Sequence, residues 1–132
     1  MGSWIYQNKE FTSEDIQDYV GFVYIITNMS NLKSYVGQKK FWSSKTIQRK
    51  KKKKRLKVES NWPEYFGSSS ALQKDLEELG AYKFEREILH LCKSKSWMNY
   101  LELKEQIQRD VLLSETYYNE YLGGRINRKH LK

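Results

Sequence analysis

Residues 21–37 read GFVYIITNMSNLKSYVG, two short apolar runs around a polar hinge. Phe22 to Thr27 is rich in β-branched and aromatic residues, the composition of a buried strand. Asn28, Ser30 and Asn31 bring turn chemistry, because their short side chains bond nearby backbone. "SYVG" is a second short strand, ended by Gly37. The pair predicts a β-hairpin, and the rest of the chain is read around it.

Upstream, Thr12 or Ser13 offers an N-cap for a short helix over "TSEDIQDYV". Downstream, residues 50–55 are all Lys or Arg. A block of like charge repels itself and does not pack, so residues 43–60 are read as a long basic loop inserted in the domain. After Gly67, serines again offer an N-cap, Leu72, Leu76 and Leu79 give a helical stripe, and Gly80 is a natural stop. "YKFEREILHLCK" alternates and then turns apolar, which predicts a third strand. Residues 94–113 give the longest helix, with a stripe of Trp97, Tyr100, Leu101, Ile107 and Val111. The end of the chain holds a loop, a short strand and a basic tail. The order β-β-(loop)-α-β-α predicts an α/β (α+β) fold for residues 1–132 as one domain. Its sheet would be small, three-stranded and mostly antiparallel, flanked by helices.

The formal charge of +8 points to a polyanionic partner, nucleic acid or an acidic surface. Trp42 and Trp62 flank the basic insertion and could pack it to the body or stack on bases. No apolar run is long enough to span a bilayer, and the N-terminus has no signal or myristoylation pattern. Cys92 is the only cysteine, which fits a reducing, cytoplasmic compartment and excludes an internal disulfide. No Cys/His spacing suggests zinc. Taken alone, Tyr24 and Tyr35 read as cross-strand core partners. Glu102 and Glu105, near Lys104 and Arg109, read as a solvated helix face, and His90 as a satisfied strand histidine.

In combination these residues resemble a GIY-YIG nuclease. Gly21-Phe22-Val23-Tyr24 matches the Gly-Ile-Tyr motif with one extra residue, and Tyr35-Val36-Gly37 matches Tyr-Ile-Gly at the family spacing. A later helix supplies a glutamate, Glu102 or Glu105, and Tyr118-Asn119 matches the closing Tyr-Asn. The layout "YVGQKKFW", basic insertion, "YFGSSSAL", "FEREILHLC", "YLELKEQ" is similar to small phage-encoded members of the superfamily. The resemblance implies hydrolysis of DNA, double-stranded, by one divalent cation, Mg²⁺ or Mn²⁺. It implies a catalytic set of Tyr24, Tyr35, Lys40, Glu102 and Asn119, with Gly21 and Gly37 as motif glycines.

In that set Tyr24 is the water-activating base and Tyr35 bonds a phosphate oxygen or the water. Glu102 is the metal ligand and Asn119 orients a neighbour. The helical wheel favours Glu105 as the inward glutamate, and the resemblance favours Glu102. The family carries an arginine about eight residues after the second glycine to stabilise phosphate charge. Lys45 stands there instead. Lys40 is taken as its replacement, with Lys39 and Arg49 as alternatives. Lys39, Lys45, Arg49, Lys50, Lys51, Lys52, Lys53, Lys54 and Arg55 are the expected DNA-backbone contacts.

Overall fold

A computed structural model describes residues 2–49, 52–123 and 126–127. The hairpin is present as β3 (Gly21–Asn28) and β4 (Lys33–Lys40), paired from Gly21–Lys40 to Asn28–Lys33. Asn28 and Asn31 shape its turn, accepting from the amides of Ser30 and Lys33. β7 (Phe84–Cys92) pairs antiparallel with β3 on its other side.

The sheet is larger than three strands. β1 (Trp4–Tyr6) lies parallel to β7, and β2 (Lys9–Phe11) pairs with β1, giving the order β2-β1-β7-β3-β4. These first strands are only three residues each, too short to show a period of two in the sequence. The helix expected after Thr12 is one 3₁₀ turn, Ser13–Asp15, closed by Asp15 accepting from the Thr12 amide at 2.9 Å.

The basic insertion is not a loop. β5 (Trp42–Arg49) and β6 (Lys52–Glu59) form a separate two-stranded ribbon. Alternation explains how a charge block becomes a strand. Successive cations point to opposite faces, and most stand opposite a neutral residue: Lys53 opposite Gln48, Lys54 opposite Ile47, Arg55 opposite Thr46 and Lys57 opposite Ser44. Lys50, Lys51 and the side chain of Arg49 lie outside the described residues.

Two apolar layers sandwich the main sheet. On one face Trp4, Phe11, Phe22, Phe41 and Trp62 pack with Leu72 of α1 (Ser70–Leu79). Ser69 caps α1 and Gly80 ends it, at φ 89°. On the other face Val23, Val36 and Cys92 meet Met98 of α2 (Lys95–Gln108), together with Val111 and Leu112. Burial pushes the Cys92 thiol up to about 11, so it is held as the neutral thiol.

The inward face of α2 differs from the expected stripe. Trp97, Tyr100 and Ile107 are each more than half exposed, while Met98 and Gln106 are buried. Gly21 is the reason. A β-carbon there would lie 2.6 Å from both the Met98 Cε and the Lys39 carbonyl oxygen. The helix sits so close to β3 that a thin methionine fits under it, and a tryptophan does not. Glu102 lies between Met98 and Gln106 at four-residue spacing, on that same face. Among the described residues, no helix is long and apolar enough to cross a membrane.

Candidate active site

The site forms at the outer edge of β4, where side chains from both faces of the sheet converge. Tyr24 stands directly opposite Gly37. With no side chain there, the Tyr24 ring crosses the strand, and a β-carbon on Gly37 would lie 2.6 Å from its hydroxyl oxygen and 3.0 Å from Tyr35 Cε2. The Tyr-x-Gly pattern thus has a steric cause: the glycine makes room for the tyrosine of the neighbouring strand. Tyr24 and Tyr35 share one face, with ring centroids 6.2 Å apart.

Tyr24 is 1% exposed. Burial, the neighbouring Tyr35 and Tyr65, and its hydrogen bond with Tyr65 hold its hydroxyl pKa well above the ordinary phenol value. Burial also raises Tyr35, opposed by the hydrogen bond with Ser68, whose Oγ lies 3.0 Å from the Tyr35 hydroxyl. Tyr65, just after a 3₁₀ turn and in no strand or helix, carries no periodicity that would mark it as a site residue. A carbonyl anchors it: buried Arg86, held between the Trp4 and Phe66 rings, donates to the Tyr65 oxygen at 2.8 Å.

Glu102 approaches from the α2 side. Gln38 Nε2 donates to its Oε1 at 2.8 Å, and Lys95 in turn donates to Gln38 Oε1 at 2.7 Å. Burial raises the Glu102 carboxyl, offset in part by the Gln38 bond and the Lys95 charge. Its negative charge reaches both Tyr24 and Tyr35. Glu105 sits elsewhere, bonded to His90 at 2.7 Å and Arg109 at 3.0 Å. Burial alone would raise it, but those two partners outweigh burial and hold it below the ordinary value.

Asn119 works on the backbone. Its Oδ1 accepts from the Val36 amide at 3.0 Å and its Nδ2 donates to the Val36 carbonyl at 2.8 Å. Gln106 Nε2 donates to the same carbonyl at 3.1 Å. Residues 116–118 run beside β4, with Ser34 bonded to Thr116 and Tyr118. Asn119 therefore stands in for a neighbouring strand and holds the residue between Tyr35 and Gly37. Asn119→Ala is expected to cost about 1–3 kcal/mol, because the buried Val36 amide loses its acceptor. Urea denaturation measures this, and an unchanged midpoint would contradict the assignment.

Tyr35, Ser68, Glu102, Gln106, Tyr118 and Asn119 line a cavity of about 470 Å³. The cations divide by strand alternation. Lys39 shares the face of Tyr24 and Tyr35, with its Nζ 4.3 Å from the Tyr65 ring centre and its pKa lowered by burial. Lys40 pairs with Gly21 on the opposite face and is exposed, so it does not join the tyrosines. Lys45, Lys52, Lys53, Lys54 and Arg55 lie exposed along the ribbon.

A mixed sheet whose hairpin presents two tyrosines across a glycine, beside a helix that turns one of its two carboxylates, Glu102, towards them, has the architecture of a GIY-YIG domain. The family model described as "Putative endonuclease segE, GIY-YIG domain" matches residues 4–122, and the chain belongs to that family. No curated protein and no solved structure matches the chain.

Proposed function

We propose that this protein is a divalent-metal-dependent endonuclease that hydrolyses phosphodiester bonds of double-stranded DNA. The observation that carries the reading is the cavity itself. It joins a strand tyrosine, a helix carboxylate and a C-terminal asparagine that are far apart in sequence.

The donor set fits a hard cation. Glu102 is a half-buried carboxylate whose neutral form burial favours, so a positive charge beside it relieves a real cost. Among the described residues no three His, Cys, Asp or Glu side chains converge. One carboxylate with a shell of retained water suits Mg²⁺ or Mn²⁺. When bound, such a cation supplies Lewis-acid polarisation of the phosphate and a more acidic water.

The chain's own groups do the rest. Gln38 and Lys95 orient Glu102. Tyr35, paired with Ser68, donates to a phosphate oxygen or fixes the attacking water. Tyr24, buried and hydrogen-bonded to Tyr65 beside Tyr35, holds those two tyrosines in place, and its raised pKa weighs against the part of water-activating base. Lys39 balances charge on the phosphate where the family uses arginine, as a point charge without a bidentate fork.

Cleavage of supercoiled plasmid tests this reading. Cutting is expected with Mg²⁺ or Mn²⁺ at low salt. Lys39→Ala should slow it roughly 100-fold, as for loss of one charge-stabilising group. Lys40→Ala should change it less than about threefold, being on the surface away from the site. Equal effects of the two variants would contradict the assignment.

The pH profile follows from Glu102. Its ionised form is the one that binds a cation, and burial raises its pKa. With the cation well below saturation, where the free carboxylate is what titrates, the acid limb of cutting should therefore lie above the ordinary glutamate value of about 4.3, with the rate falling tenfold per unit below it. Gln38→Leu removes a bond that lowers this pKa and should move the limb upward. A limb at or below the ordinary value in the wild type would contradict the role.

The near-complete enclosure of Tyr24 and the lysine in place of arginine favour one second reading, a non-catalytic DNA-binding protein on this scaffold. Plasmid that is bound but never cut, with either cation, would select it.

A further inference from the structure

The ribbon carries more information than a phosphate clamp needs. Directly opposed residues of an antiparallel pair share a face. One face therefore holds Ser44 with Lys57, Thr46 with Arg55, and Gln48 with Lys53. Hydrogen-bonding side chains come from β5 and cations from β6, and all six are exposed. The reverse face holds Lys45 with Leu56, Ile47 with Lys54, and Val58 with Ser43. Its three aliphatic residues are half-buried and share that face with Lys45 and Lys54.

The root is fixed to the body beside the site. Ser60 donates to the Lys40 carbonyl at 2.7 Å and its amide bonds Phe41. Glu59 accepts from the Trp62 indole at 2.8 Å and from Ser13 at 2.6 Å. Trp42 carries Lys57 over its ring at 4.8 Å. The ribbon thus projects from a rigid base that begins one residue after β4.

We propose that this ribbon enters the major groove of duplex DNA next to the scissile phosphate, with Ser44, Thr46, Gln48, Lys53 and Arg55 facing the base edges. Lys45, Lys52 and Lys54 then face the phosphate walls. The groove is about 12 Å wide and admits a two-stranded ribbon. A ribbon of this length, roughly 25 Å, spans about seven base pairs. Gln matches adenine edges, Arg and Lys match guanine, and the Thr methyl group packs on thymine. The chain then selects its own cutting site from the ribbon, and phosphate contacts add affinity without sequence information. This rests on the endonuclease reading, which supplies the duplex as substrate.

The test separates the two. The Glu102→Gln protein selects from a randomised duplex library, so binding preference is read without cutting. The expected result is an enriched motif that collapses on the order of tenfold per lost contact when Thr46→Val, Gln48→Leu and Arg55→Lys are added. In the complex made without these three changes, dimethyl sulfate should find guanine N7 atoms protected in the major groove, a result independent of whether the triple variant folds. No enriched motif, a motif that survives the triple variant, protection confined to the minor groove, or preference for single strands would overturn the proposal. Wild-type protein that binds a motif and never cuts plasmid would instead remove the endonuclease reading and leave the ribbon assignment standing.

Discussion

Glu102→Gln is expected to abolish plasmid cleavage, by roughly 10³-fold or more, while DNA binding stays within a few-fold. The size follows from losing the half-buried helix carboxylate proposed to hold the cation, which contributes several kcal/mol to the transition state. The amide keeps the shape, and its oxygen can still accept from Gln38 Nε2, so folding is spared. Glu105→Gln serves as the contrast. That residue is engaged with His90 and Arg109 on another part of α2. Its loss should lower stability and leave the cutting rate of the folded protein nearly unchanged. A reversed pattern, with Glu105 essential and Glu102 dispensable, would move the centre elsewhere.

Gly37→Ala is expected to cost both stability and activity. A methyl group there would lie 2.6 Å from the Tyr24 hydroxyl oxygen and 2.8 Å from Cζ. Tyr24 cannot yield cheaply, because Trp4 lies at 5.2 Å, Phe22 at 5.9 Å and Tyr65 at 6.0 Å between ring centres. Overpacking of this kind costs about 1–3 kcal/mol. The same shift moves Tyr35, so the rate should fall on the order of 100-fold in protein that remains folded. Adding Tyr24→Phe removes the closest clashing atom and should return part of the lost stability. Strict additivity of the two changes in a double-mutant cycle would contradict the contact.

The hairpin was legible because its composition changes sharply at Gly21 and because its turn residues bond their own backbone, but Gly37 does not end its second strand, which runs on to Lys40. The first helix was legible for a similar reason, since Ser69 and Gly80 bracket α1, whereas α2 ends at Gln108, short of the 94–113 expected from its stripe. What the sequence concealed was long-range. The face of α2 could not be chosen by apolarity, since the sheet beneath it presents Gly21 and the Val36 carbonyl, which call for a thin side chain and an amide donor. Trp97 and Tyr100 therefore turn outward in spite of their size. The ribbon was concealed by its own charge, because cross-strand partners that separate like charges are visible only in register. Tyr65 and Arg86 lie in segments that carry the family resemblance, but nothing local marked either as part of the site. Their link runs through a backbone carbonyl, and sequence patterns report side chains. Lys39 and Lys40 could have been distinguished by alternation alone: Lys39 is two residues from Gly37, on the Tyr24 face, and Lys40 is three.

In the proposed mechanism one carboxylate, that of Glu102, holds the cation at the edge of β4. Crystals soaked in Mn²⁺ with a short duplex, measured at the manganese absorption edge, address it directly. The predicted result is an anomalous peak within bonding distance of the Glu102 carboxylate, in the cavity shared with Tyr35, and its loss in Glu102→Gln. A peak bound instead by Glu105, or one at the cavity that persists in Glu102→Gln, would contradict it.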